Sequence, residues 1–283
     1  MTHKIKIMAA MIAASAGLIG SVCADPVDEK LLIDGVEMIT KAKAPEGYPF
    51  PEVLSGWLFR EAETRALEMD SFQNPAMLAV ELGAEIWKRS EGAAGKSCES
   101  CHGNAADSMK AVGASYPKWN EKAGKPQNVE LRVEDCRVNQ MKAEPFKFDS
   151  AEQKALTAYI KYQGLGAPVG IDLKAGDMQS WWEKGKTTYY TRFGQLNMSC
   201  ATCHEANVGH MIRADHLSQG QINGFPAYRL KDGLNSVHGR FRGCIRDTRA
   251  EMPKGLSDEL LALEVYVTWR GTGLSVESPS VRH

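Results

Sequence analysis

Four cysteines of the 283-residue chain stand in two pentapeptides of one spacing, Cys98-Glu99-Ser100-Cys101-His102 and Cys200-Ala201-Thr202-Cys203-His204. Cys-x-x-Cys-His is the attachment signature of haem c. Two intervening residues let both sulfurs reach the vinyl groups of one macrocycle from a single helical turn, and the histidine that follows comes up beneath the iron. Zinc or disulfides could use the cysteine pairs alone, but two complete pentapeptides select haem. The expectation is two covalently attached haem c groups, held by Cys98 and Cys101 and by Cys200 and Cys203, with His102 and His204 as iron ligands.

The next question is what holds the far side of each iron. The unit around the first motif contains no histidine besides His102, which leaves methionine or Cys136. The second unit offers His210, His216, His238, Met211 and Met252 as well as Cys244. Cys136 follows Cys98 by 38 residues and Cys244 follows Cys200 by 44, both in the loop ahead of a closing helix, where a distal ligand belongs. A disulfide between them is the alternative for two leftover cysteines. Equivalent positions in two units, each facing its own haem, would lie beyond the ~7 Å reach of a bridge, so ligation by each thiolate is the favoured reading. A thiolate ligand lowers the reduction potential of its iron. The surroundings of the two cysteines differ. Cys136 sits in the mixed-charge run Val133-Glu134-Asp135-Cys136-Arg137, whereas Arg240, Arg242, Arg246 and Arg249 all lie within five residues of Cys244. Such a cluster favours a thiolate and attracts an anion with several oxygens; the plainer alternative is a solvated face paired with acids such as Asp247. The loop histidines His210, His216 and His238 read as ordinary loop or partner-facing residues, and Trp181 and Trp182 as core or haem-packing residues.

These groups need a scaffold, and the chain repeats one. Gly83 and Gly185 each precede the first cysteine of a motif by 15 residues, and Ser150, Glu152, Ala155, Leu156 and Tyr159 recur as Ser257, Glu259, Ala262, Leu263 and Tyr266 at a constant offset of 107. Helical spacing and serine N-caps place a closing helix after Ser150 and after Ser257. A glycine in the first helix crossing an aromatic in the last resembles the helix contact of class I cytochromes c. The fold class expected is mainly α: two tandem class I cytochrome c-like domains related by duplication, over residues 79–168 and 169–283, behind an N-terminal extension at 25–78. Gly164 to Gly170 reads as the linker, Pro45 to Pro51 as an irregular connection, and Gly56 to Met69 as a helix. Strand signals are scarce.

Composition narrows the function. With 34 basic against 35 acidic residues and 43% hydrophobic residues, the chain reads as globular and not as a nucleic-acid binder. Lys4 and Lys6 precede an apolar run from Ile7 to Val22 that ends at Cys23 and Ala24, which reads as a signal peptide over 1–24. The run is shorter than the ~20 residues of a spanning helix, so no membrane span is expected in the mature form, and a lipoprotein site at Cys23 is disfavoured by Val22. Export implies a periplasmic protein whose six remaining cysteines meet an oxidising compartment.

The two motifs, the cysteine in each distal loop and the stretch Gly239-Arg240-Phe241-Arg242-Gly243-Cys244 together resemble the SoxA family, the dihaem subunit of the SoxAX cytochrome of bacterial thiosulfate oxidation, over nearly the whole mature chain. The resemblance implies that Cys244 is the catalytic sulfur and a persulfide-modified ligand of the second haem, that Arg240 binds substrate, and that Cys136 ligates the first haem. It assigns Arg242 and Arg246 less firmly to the sulfonate oxygens. The implied reaction joins thiosulfate to a cysteine of the SoxYZ carrier, with electrons leaving through a SoxX-like monohaem cytochrome c, in a heterodimer with this chain, to a soluble cytochrome c. A thiosulfate dehydrogenase, a dihaem peroxidase using Asp215, His210 or His216, and a plain dihaem electron carrier are the rival readings.

Overall fold

The computed structural model describes residues 25–283; the leader read over 1–24 lies outside them. The helices run in chain order as α1 (Ala62–Met69), α2 (Met77–Lys88), α3 (Cys98–His102), α4 (Ala105–Ser108), α5 (Val112–Ser115), α6 (Val129–Cys136), α7 (Ala151–Tyr162), α8 (Met178–Tyr190), α9 (Cys200–His204), α10 (Val237–Asp247) and α11 (Asp258–Arg270). Strands are two or three residues long, mostly in hairpins. No helix among the described residues is long and apolar enough to cross a membrane.

The fold rests on two helix crossings of the same kind. In the first, α2 packs on α7; in the second, α8 packs on α11. A Cβ at Gly83 would stand 2.5 Å from Tyr159 Cβ, and one at Gly185 would stand 2.8 Å from Tyr266 Cβ. Only glycine lets the backbones approach this closely, so the glycine and aromatic pairing expected from the sequence is the contact observed. Ser150 and Ser257 cap the closing helices, accepting from Gln153 N and Leu260 N. Each crossing carries its own core: Ile86, Trp87, Leu156 and Ile160 in the first, Tyr189, Leu260, Leu263 and Tyr266 in the second. Trp181 of α8 and Leu261 and Ala262 of α11 pack against Trp119 and Leu131, which joins the units through apolar side chains.

The segment before α2 wraps the second unit. Residues 45–51 form the irregular tip between the paired strands Lys41–Lys43 and Glu52–Leu54. The helix expected from Gly56 to Met69 is broken: Gly56–Phe59 is a single 3₁₀ turn capped by Ser55, Arg60 is extended, and α1 begins at Ala62. The break has a tertiary cause. Arg60 donates from Nε to Gly56 O and pairs with Asp215, while Trp57, Leu58 and Phe59 fill a separate core with Leu31 and Met38. The chain end closes the wrap. Strand Ser280–Arg282 lies parallel to Ala227–Arg229, Val281 N donates to Glu68 Oε2 (2.9 Å), and Ser55 Oγ donates to Glu277 Oε2 (2.8 Å). The stretch read as a linker is stitched to this tail, with Gly166 N donating to Val276 O and Val169 N to Leu274 O. It is therefore a packed crossing and not a free tether.

Two cysteine-lined cavities

The motif helices α3 and α9 are single turns that hold their shape by reciprocal capping. Ser97 Oγ accepts from Ser100 N (3.0 Å) while Ser100 Oγ accepts from Ser97 N (3.1 Å). Ser199 and Thr202 repeat this at 3.2 and 3.0 Å. Residues inside each Cys-x-x-Cys spacer thus fix the turn that aims both sulfurs.

Each motif opens on its own cavity. The first has a volume of about 360 Å³ and is lined by Cys98, Cys101 and His102 together with Cys136, with Arg132 and Met141 on its wall. The second has a volume of about 170 Å³ and is lined by Cys200, Cys203 and His204 together with Cys244 and Arg240. All six cysteines among the described residues are free, so Cys136 and Cys244 form no disulfide, and each lines a different cavity. Desolvation pushes the Cys98 thiol up to about 11 and Cys200 up to about 12, and burial also raises Cys136.

The distal cysteines stand on helices, not in the loops expected. Helix α6 is capped by Asn128, which accepts from Leu131 N, and α10 by Ser236, which accepts from Gly239 N. Val237, Phe241 and Ile245 recur one turn apart and join the second core, which outweighs the low helical propensity of Gly239 and Gly243. Helix geometry then sorts the arginines. Arg240 stands one turn before Cys244 and shares its cavity, whereas Arg242 and Arg246, two residues to either side of Cys244, lie outside the lining. Arg242 donates from Nε to Pro253 O (2.9 Å) and stacks over Phe148; Arg246 is exposed beside Asp247. The structure therefore does not bring these two to the site.

The histidines separate in the same way. His204 Nδ1 lies 2.9 Å from Ser218 O, a contact that places the proton on Nδ1 and leaves the Nε2 lone pair free. Desolvation pushes this imidazole down to about 4, and the positive charge of Arg240 adds to the shift. Gly220, at φ +78°, brings the backbone so close that a Cβ would lie 2.7 Å from His204 Cγ. His238 is buried and turns to Glu264, Nε2 to Oε2 2.9 Å, away from the cavity. His216 lines the cavity beside Glu61, while His210, Met211 and Met252 do not line it.

These features fit haem c. Each cavity offers two sulfurs that could form thioethers, and a histidine and a cysteine that could ligate an iron, within largely apolar walls. Cys98, Cys101, His102 and Cys136 would hold one group, and Cys200, Cys203, His204 and Cys244 another.

Comparison with known proteins agrees with this geometry. Residues 82–169 match the family model described as SoxA/TsdA, cytochrome c domain. The L-cysteine S-thiosulfotransferase subunit SoxA of Pseudaminobacter salicylatoxidans is 64% identical over the full length of both chains. The chain belongs to the SoxA family. The subunits of the same name from Rhodovulum sulfidophilum and Paracoccus pantotrophus are each 47% identical, over 98% of both chains in the first case and over 97% of this chain and 96% of that one in the second. The structure described as the crystal structure of SoxXA from P. pantotrophus superposes with a TM-score of 0.87 at 47% identity, covering 92% of this chain and 100% of that one. A cytochrome c domain binds haem c covalently, so this chain is a haem c protein.

Three arginines of the second cavity were not singled out from the sequence. Arg60 comes from the extension, Arg229 from a short strand and Arg282 from the chain end. None lies near a cysteine motif in sequence, so no spacing could have found them.

Proposed function

We propose that the chain is the thiosulfate-conjugating subunit of a SoxAX cytochrome, carries two haem c groups, and reacts at the second cavity. The observation that carries this reading is the placement of Cys244 and Arg240 on one helical face opposite Cys200, Cys203 and His204, with no acid pairing Arg240 among the described residues.

The haem, when bound, supplies a one-electron redox centre beside the cysteine. The protein's own groups do the rest. Arg240 holds the sulfonate oxygens of thiosulfate by charge-assisted hydrogen bonds and presents the terminal sulfur to Cys244. A sulfur–sulfur bond forms between the cysteine sulfur and that terminal sulfur, and two electrons leave for a soluble cytochrome c by way of a SoxX-like monohaem subunit. A thiolate of the SoxYZ carrier then attacks the bridging sulfur, takes the S–SO₃ group, and releases the Cys244 sulfur as thiolate. The sum converts one thiol and one thiosulfate to one S-thiosulfonate, one proton and two electrons. Where Cys244 carries an extra sulfur as persulfide, that sulfur plays the same part. Heterodimer formation with the SoxX-like subunit is supported by the likeness to the SoxXA structure from P. pantotrophus. The export leader and cysteine usage support a periplasmic site.

The test is mass analysis of the carrier after incubation with thiosulfate, oxidised cytochrome c and the haem-loaded complex. Wild type should add an S–SO₃ group to the carrier cysteine and Cys244→Ser should not. Tetrathionate as the sole product would replace this reading with that of a thiosulfate dehydrogenase.

A further inference from the structure

Arg229 ends the strand Ala227–Arg229 and lines the second cavity together with Arg240 and Cys244. Its side chain is 12% exposed, and its Nε is buried with no hydrogen-bond acceptor. Its ion-pair partner, Asp232 Oδ2, lies 3.3 Å from that Nε on a half-exposed side chain. The other cations on this wall are committed to buried or half-buried acids, Arg60 to Asp215 and Arg282 to Glu68. Arg240 has no acid partner among the described residues. Arg229 is thus paired only with a half-exposed acid and Arg240 with none, so two guanidinium groups line one cavity with a single acid between them. Burial pushes Arg229 below its ordinary range; the charge of Arg240 pushes it further, while Asp232 and Cys244 oppose the shift. Placing two like charges beside one cysteine costs folding energy unless an anion joins them.

We infer that Arg229 is a second substrate-positioning residue, which with Arg240 clamps the sulfonate head of a doubly charged sulfur oxoanion against Cys244. A single guanidinium offers one planar fork, but a tetrahedral SO₃ head has three oxygens and cannot satisfy them all in one plane. A second arm from a different element fixes its orientation and favours dianions over monoanions of similar size. Because Arg229 comes from a strand paired with the chain end and Arg240 from α10, the clamp exists only where the tail strand Ser280–Arg282 is seated. The inference rests on the reading of Cys244 as the reacting sulfur.

The experiment measures thiosulfate-dependent carrier conjugation in the haem-loaded complex with Arg229→Gln, Arg229→Lys and Cys244→Ser, together with the spectrum and potential of the second haem. Arg229→Gln should raise KM for thiosulfate roughly tenfold to a hundredfold, the effect of losing a hydrogen bond to a charged group, with kcat changed far less. Lysine should recover part of the loss, because it restores charge without the fork. It also carries the test where Gln fails to load haem. An unchanged KM in both variants overturns the inference. So does a shifted potential or spectrum at unchanged KM, which would mean that Arg229 holds a carboxylate of the haem instead. Turnover retained in Cys244→Ser is a separate result: it refutes the reading of the site itself, whatever Arg229 does.

Discussion

The two cavities are built from the same parts and differ in how their arginines are paired. In each, a capped helix carries an arginine one turn ahead of a cysteine: Arg132 and Cys136 on α6, Arg240 and Cys244 on α10. In the first, Asp135 takes that arginine, Oδ2 to Nη1 2.9 Å, and Glu91 takes the neighbouring Arg137. In the second, the position of Asp135 is occupied by Gly243, and Arg240 has no acid partner among the described residues. The proximal sides differ as well. Ser218 O and Gly220 grip His204, while His102 is exposed with Trp87 beside it, ring centroids 5.8 Å apart. The Arg132–Asp135 pair leaves less positive charge for an anion in the first cavity than the unpaired Arg240 leaves in the second.

The strongest break of this comparison exchanges the roles of the cysteines. Cys136→Met should raise the potential of the first haem and leave thiosulfate turnover largely intact, because no reacting sulfur is lost there. Cys244→Ser should abolish turnover and alter the second haem's spectrum. Equal loss in both would erase the distinction between the cavities. Next in size, Arg240→Ala should lower kcat/KM by roughly ten- to a hundredfold, worth ~1.5 to 3 kcal/mol, whereas Arg132→Ala should not change it.

Gly243→Asp sharpens the point by rebuilding the first cavity's pairing in the second. A side chain at 243 meets nothing within 4 Å, and an acid there stands toward Arg240 as Asp135 stands toward Arg132. Its kcat/KM should fall toward that of Arg240→Ala, while Gly243→Ala keeps near wild-type activity and gains up to about 1 kcal/mol of helix stability. The reverse change, Asp135→Asn, should give the first haem's spectrum a weak, salt-sensitive response to sulfate. Its effect on affinity should be below about fivefold, as expected for an exposed pair.

The smallest effect separates the units by stability. The second cavity is wrapped by the chain end, where burial and the neighbouring Glu68 hold Glu277 up at about 8 against the pull of Arg282. The folded state keeps this proton after the unfolded chain has released it, so the group favours folding below about 4.5 and loses that contribution as pH rises toward about 8. Thermal unfolding of Glu277→Gln should show a flatter dependence on pH across that window. A slope equal to wild type would place the titration elsewhere.

Much of the site was legible because its chemistry is local. The attachment motifs act within one helical turn, and the glycine, aromatic and serine positions recur at a fixed offset. They could be read as a crossing and its caps before any contact was seen. Cys136 and Cys244 followed from their distance to the motifs. Reading their surroundings as loops hid the consequence of helical phase, which keeps Arg240 beside Cys244 and turns Arg242 and Arg246 away. The glycines at 239 and 243 concealed that helix, since burial of Val237, Phe241 and Ile245 outweighed their propensity.

What the sequence by itself determined was the local chemistry: the cysteines and histidines of the two attachment motifs, and the cysteine and arginine that share a cavity with the second. Only the tertiary structure decided which charges surround them. Arg60, Arg229 and Arg282 reach the second cavity from the extension, a short strand and the chain end, and each meets an acid there, Asp215, Asp232 and Glu68 in turn. Those pairings span more than 150 residues along the chain in the cases of Arg60 and Arg282. A spacing rule reports on groups carried by one turn or one repeat, whereas the net charge of a cavity is set by whichever segments the packed cores bring to its wall.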